Sequence, residues 1–145
     1  MQLDFLLALF RPLLEPQEAA WLMGECSDDR IRGLIDEGIL RAVDIASRRA
    51  DQPKQRCLRI YRYTVEHLLI APKAPVALVP VEQILLHSRP LFLKSEVART
   101  LACTERHVAN LDLPSPPVSQ MSLTRLPRYT REGLIQFLTA REIRP

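Results

Sequence analysis

The hydrophobic and polar positions of this chain fall into short blocks whose period changes several times. Residues 3–10 are apolar nearly all round, which predicts a helix packed between other elements. A second helix is expected from Pro16, a favoured first helical residue, to Met23, with Ala19, Ala20 and Met23 turned inward and Gly24 ending it. Ser27 then caps a third helix through its hydroxyl, Ile31, Leu34 and Ile35 give that helix its buried stripe, and Gly38 stops it. Two helices joined by so short a turn, with the small Ala20 where they cross, make a helix-turn-helix pattern. The period then falls to two. Residues 42–45 and 58–61 alternate like strands on either side of a polar loop, which predicts a hairpin wing. Thr64 is expected to cap a last helix through Leu68 and Leu69, and Trp21, on the second helix, reads as a packing residue.

The plan occurs twice. Asp4–Leu13 aligns with Glu82–Leu91 at an offset of 78, bringing an acidic start, an apolar helix and Arg-Pro-Leu into register. The same offset lays Glu18-Ala19-Ala20 over Glu96-Val97-Ala98, and an offset of 77 lays Cys26-Ser27 over Cys103-Thr104 and Ile31 over Val108. Arg59–Leu68 lies over Arg125–Leu134 at 66, so the second copy is shorter between these blocks. Four blocks in one order point to a duplication. The boundary falls in Ala71-Pro72-Lys73-Ala74-Pro75, where prolines cannot continue a helix, giving copies at 1–72 and 73–145. In copy two, helices are expected at Val81–His87, at Ser95–Leu101 and after Thr104, with Val108 and Leu111 inside. Its first wing strand is replaced by Leu113-Pro114-Ser115-Pro116-Pro117, which cannot donate enough ladder hydrogen bonds for a clean strand. The expected fold is therefore mainly α with small β-hairpin wings, as two tandem winged helix-turn-helix domains.

Composition adds exclusions. The chain has 145 residues, is 47% hydrophobic and 26% charged, and has no apolar run near the roughly 18 residues needed to span a bilayer. No signal-peptide pattern opens it, so a cytoplasmic, nucleoid-associated protein is expected. Cys26, Cys57 and Cys103 are odd in number and widely spaced, which argues against disulfides and structural zinc; Cys26 and Cys103 read as small buried residues. No Ser-His-Asp set, carboxylate pair or Gly-rich phosphate loop is present, so no enzyme activity, cofactor, metal or small-molecule substrate is expected. The net charge of +3 is unevenly spread: ten Lys or Arg against eleven Asp or Glu in 1–72, and ten against six in 73–145. Residues 41–63 alone hold seven basic and two acidic residues, concentrating positive charge at the wing.

Together these positions resemble the small MerR-type winged helix-turn-helix domains of phage excisionases and related regulators. The resemblance lies in Leu14, Glu18-Ala19-Ala20, Ser27, Ile31, Leu34-Ile35, Gly38, Leu40-x-Ala42-Val43, Arg59 and Arg62. Copy two is similar through Glu96-Val97-Ala98, Leu101, Cys103-Thr104, Arg106-His107-Val108 and Leu111. It implies that the third helix of each copy enters the DNA major groove while the wing follows a phosphate track.

The candidate DNA-binding residues follow from it. The helices would offer Ser27, Arg30 and Arg32 in copy one, and Thr104, Arg106, His107 and Asn110 in copy two; Arg suits guanine O6 and N7, and Asn suits adenine N6 and N7. Arg48, Arg49, Lys54 and Arg56 would neutralise phosphates from the wing. Arg59, Arg62, Arg125 and Arg128 would either do the same or pair with helix carboxylates such as Glu66 and Glu132. Asp28 and Asp29 stand where the family puts DNA-facing groups; they would accept from cytosine N4 or complement the helix dipole. The expected function is sequence-specific binding of double-stranded DNA, as an excisionase-like architectural factor or a transcriptional regulator. A homodimer through the apolar helices at 3–10 and 81–87 would be compatible with it. The alternative is a protein-interaction or assembly module on the same scaffold.

Overall fold

The structure is a computed structural model that describes residues 11–24, 27–46, 56–74, 76–85, 91–114 and 128–144, with backbone alone at 91 and 128. Copy one begins with a short strand, β1 (Leu13–Leu14), and helix α1 (Pro16–Leu22). Pro16 supplies the fixed φ of a first helical residue, and the Glu15 N–H donates to Glu18 Oε1 at 3.3 Å, satisfying a donor the helix leaves free. Gly24 ends the helix at φ +89°, a left-handed conformation that glycine adopts without strain. Helix α2 (Asp28–Asp36) follows, capped by Ser27 Oγ accepting from the Arg30 N–H at 3.2 Å, with Ile31, Leu34 and Ile35 buried as expected. It closes at Gly38, φ +76°, where the Ile39 N–H reaches back to the Leu34 carbonyl. Strands β2 (Ala42–Asp44) and β3 (Leu58–Tyr61) form the expected antiparallel hairpin, with Val43 opposite Arg59. Helix α3 (Arg62–Ile70) starts two residues before the expected cap; Thr64 is instead buried in its first turn, donating to the Tyr61 carbonyl at 2.7 Å.

Copy two repeats the order. After a short helix, α4 (Val81–Ile84), come β4 (Leu91–Leu93), α5 (Lys94–Thr100), α6 (Glu105–Ala109), β5 (Arg128–Thr130) and α7 (Arg131–Ala140). Residues that align in sequence do the same work. Glu96 accepts from the Leu93 N–H at 3.1 Å as Glu18 does from Glu15, and Thr104 caps α6 by accepting from the His107 N–H at 3.1 Å as Ser27 caps α2. Ala102, at φ +53°, occupies the left-handed turn that Gly24 occupies in copy one.

The expected mainly helical plan needs correction to a mixed α/β one. Sequence periodicity overlooks β1 and β4, which are too short to show a period. β1 pairs with β3, so the wing hairpin is part of a three-stranded antiparallel sheet, β1-β3-β2. β4 pairs with β5 in the equivalent way. The described residues thus hold seven helices and two small antiparallel sheets.

The three-stranded sheet also lies deeper than a free wing. Leu14, Ala42, Leu58 and Ile60 face one apolar cluster with Ala19, Ile31, Leu34, Ile35 and Val65 of copy one. Leu13, Val43, Ile45 and Tyr61, on the alternate positions, face a second cluster with Val81, Leu85, Phe92, Val97, Val108, Leu134 and Leu138 of copy two. Copy two thereby covers the outer face of copy one's sheet. The free edge is covered as well: Glu142 bridges to Val43, the Asp44 N–H donates to the Arg141 carbonyl, and the Ile143 N–H donates to the Ala42 carbonyl. Trp21 differs from its sequence reading: it is 70% exposed, because Ala19 and Ala20 take the inward positions of α1.

Candidate nucleic-acid interface

The residues singled out from sequence part into three groups in space. Three lie on exposed helix surface. Arg30 and Arg32 project from α2 among Asp28, Asp29, Asp36 and Glu37, all exposed, so this face carries four carboxylates against two guanidiniums. Arg106 is exposed on α6, on the side away from the buried Val108. The caps Ser27 and Thr104 are exposed at the starts of the same two helices. Arg56, at the base of the wing, is also exposed and shares a groove with Arg32, Asp36 and Leu58. Asn110 is half-buried and stands at the C-terminal cap of α6 rather than within its outer face.

A second group is drawn into the contact between the copies. Arg59 is only 9% exposed. Its Nε donates to the carbonyls of Leu101 at 3.0 Å and Ala102 at 3.1 Å, and its Nη1 to the Leu58 carbonyl at 2.8 Å. Its Nη2 lies 3.5 Å from Glu15 Oε1. A guanidinium has five N–H donors, and these contacts turn Arg59 into the protein, where it follows the alternative given for it, a carboxylate-paired clamp, in place of phosphate contact. His107 is likewise turned inward: its Nε2 lies 2.6 Å from the Ile45 carbonyl. A carbonyl can only accept, so Nε2 carries the proton, and the ring holds α6 against the wing instead of reading bases. Arg62 follows the alternative given for it, placing Nε 2.8 Å from Glu66 Oε1 one turn along α3.

The third group lies outside the described residues: Arg48, Arg49 and Lys54 of the wing loop, and Arg125. Arg128 is in β5, opposite Leu93, with its backbone alone described. The apolar helix expected at 3–10 and Cys26 also lie outside. Of the second apolar helix expected at 81–87, Val81 and Leu85 are buried in the core shared by the copies, and residues 86 and 87 lie outside the described residues.

Sequence reading overlooked two arginines that clamp the same region. Arg141 is buried, donates from Nη1 to the Ala46 carbonyl at 2.8 Å, and pairs through Nη2 with Asp112 at 2.5 Å. Arg41 pairs with Glu142, donates to Tyr63 Oη at 3.1 Å and stacks 4.6 Å from the centre of the Tyr61 ring. Burial works against its charge, yet Glu142 and Tyr63 outweigh burial and raise the guanidinium above its ordinary value. Arg141 has no counterpart in copy one, and that break in the duplication was the available signal. Burial also pushes the Cys103 thiol from 9.0 up to about 11, despite the opposing pull of Arg59, and raises the Tyr61 phenol. These groups stay neutral and are unsuited to nucleophilic chemistry.

Arg11, Glu15, Arg59, Arg99, Thr104, Glu105 and His107 line an open cleft where the copies meet, mixing both signs of charge. Among the described residues no cluster of three or more His, Cys, Asp or Glu could hold a metal ion, and no helix is long and apolar enough to cross a membrane. No known family model, curated protein or solved structure matches the chain.

Proposed function

We propose that this chain is a sequence-specific double-stranded DNA-binding protein built from two tandem winged helix-turn-helix repeats. The observation that carries the proposal is the repeated helix pair. In each copy, two helices meet through a left-handed turn at Gly24 or Ala102. The second helix is capped by a hydroxyl, Ser27 or Thr104, and presents arginine outward. A hairpin follows in copy one, whose connecting sequence carries Arg48, Arg49, Lys54 and Arg56 against Asp51. This arrangement fits a surface that docks on phosphates and reads base edges. An excisionase-like architectural role and transcriptional control both suit it, in the nucleoid-bearing compartment and without catalysis.

Binding measured over a salt series tests the proposal. Affinity for a duplex recovered from a randomised pool should fall steeply as salt rises, because neutralised phosphates release counterions. Salt-independent or absent binding on every duplex would sink it. The second reading, a protein-interaction module, is favoured by the three exposed carboxylates of α2 and a fourth, Glu37, at its C-terminal cap. It predicts selective retention of a basic protein partner and no enrichment of any DNA sequence.

A further inference from the structure

We infer that the cleft where the two copies meet holds a phosphate group, carried either by the DNA backbone or by a small phosphorylated molecule. The first source rests on the DNA reading above; the site stands on the cleft's own residues.

The cleft is open to solvent and has a volume of about 580 Å³, enough for a phosphate with the sugar that carries it. Three guanidiniums line it from separate parts of the chain: Arg11 from just before β1, Arg59 from β3 and Arg99 from α5. Like charges gathered in one place repel, so the arrangement is favourable only where anions offset it. The lining supplies two carboxylates, Glu15 and Glu105, against the three guanidiniums, which leaves one positive charge in excess.

The ion pairs that the protein forms here are loose. Arg59 Nη2 lies 3.5 Å from Glu15 Oε1, and Arg11 Nη1 lies 3.8 Å from Glu18 Oε2, against about 2.8 Å for a charge-assisted hydrogen bond. Among the described residues, the buried Arg11 Nε has no hydrogen-bond partner, and the exposed Arg99 side chain forms no ion pair. Hydroxyl donors stand on the same walls. Thr104 Oγ1 accepts from the His107 N–H at 3.1 Å, which leaves its O–H to donate, and Ser95 is exposed beside it in the lining. A phosphate group offers several oxygens in a tetrahedral array, so it can receive guanidinium forks and a hydroxyl from different directions at once.

The floor of the site is already fixed. Arg59 is held by the Leu58, Leu101 and Ala102 carbonyls, so its guanidinium needs no ordering when a ligand arrives. Thr104 and Glu105 open α6, whose next residue, Arg106, is exposed. A backbone phosphate seated in the cleft would therefore place a duplex at the start of that helix.

The test uses the full chain and two readouts. In thermal melts, about 10 mM inorganic phosphate should raise the midpoint by about 2 °C or more over chloride at equal ionic strength, because a ligand of the native state stabilises it. Arg99→Ala should abolish the shift, Glu105→Gln should enlarge it, and Lys73→Ala, an exposed lysine outside the lining, should leave it unchanged. Arg59 is left intact, since its loss would disturb the fold. The site is overturned if phosphate gives the wild-type chain no shift, if Arg99→Ala keeps the full shift, or if Glu105→Gln fails to enlarge it. Fluorescence anisotropy on a duplex recovered from a randomised pool then identifies the source. With DNA as the source, Arg99→Ala should weaken binding about fivefold on every duplex and reduce the salt slope by about one, while Lys73→Ala changes affinity less than about twofold. A phosphate shift that depends on Arg99, in a chain whose DNA affinity does not, assigns the site to a small phosphorylated molecule. A wild-type chain that shows the shift and binds no duplex overturns the DNA reading and leaves the site standing.

Discussion

Arg59 and Leu101 are 42 residues apart in the chain, and the guanidinium Nε of one lies 3.0 Å from the carbonyl oxygen of the other. This contact joins the central strand of copy one to the helical turn of copy two. With His107 and Arg141 it makes the duplicated halves one packed unit around a shared sheet.

Arg59→Ala should therefore destabilise the fold by about 3 kcal/mol, because it leaves buried carbonyls of Leu58, Leu101 and Ala102 without their donor. Arg62→Ala removes an ion pair with the exposed Glu66 and should cost about 1 kcal/mol or less. Urea denaturation of the two variants checks the contrast. Equal losses would show that the inter-copy clamp is not special.

Two glycines should respond with opposite signs to the same change. A Cβ at Gly24 or Gly33 meets nothing within 4 Å, so sterics with neighbours do not decide. Gly24 sits at φ +89°, where Gly24→Ala should cost about 1 kcal/mol in backbone strain. Gly33 lies within α2, where Gly33→Ala should stabilise by about 0.5–1 kcal/mol. Thermal melts of both variants give the answer.

Ending the chain after Ala140 should lower stability by at least about 3 kcal/mol and promote self-association. It removes the Arg141 donor to the Ala46 carbonyl and uncovers the edge of β2. Denaturation and size-exclusion chromatography report the two effects. A monomer of unchanged stability would contradict the structure.

Stability should decline at alkaline pH. Burial holds the Cys103 thiol at about 11 against an ordinary 9.0, and it raises the Tyr61 phenol above 10.0. Below pH 9 both groups are neutral whether folded or unfolded. Above it the unfolded chain ionises first, so unfolding is favoured progressively from pH 9 to 11 for the thiol and from pH 10 upward for the phenol. Among the described residues the buried Tyr61 hydroxyl has no hydrogen-bond partner, so Tyr61→Phe should stabilise by about 1 kcal/mol at neutral pH. The same variant should reduce the alkaline loss. A pH series of urea melts distinguishes these outcomes; a loss unchanged in Tyr61→Phe would assign it elsewhere.

What the sequence determined by itself is local. Helices α1 and α2, their stop at Gly38, the caps Ser27 and Thr104, and the β2–β3 hairpin are written in neighbouring residues. Each depends on side chains acting on backbone a few positions away. The duplication was equally legible, because paired residues such as Glu18 and Glu96 keep the same local task. Tertiary structure alone decided the fate of Arg59, His107 and Arg141. Charge and spacing mark Arg59 and His107 as available to DNA and leave Arg141 unremarked, but the partners of all three include carbonyl oxygens brought near only when copy two docks on copy one's sheet. Backbone carbonyls are present at every position and leave no mark in a sequence. Which of them face a given guanidinium is fixed by the packing of Leu13, Val43, Ile45 and Tyr61 against the second repeat.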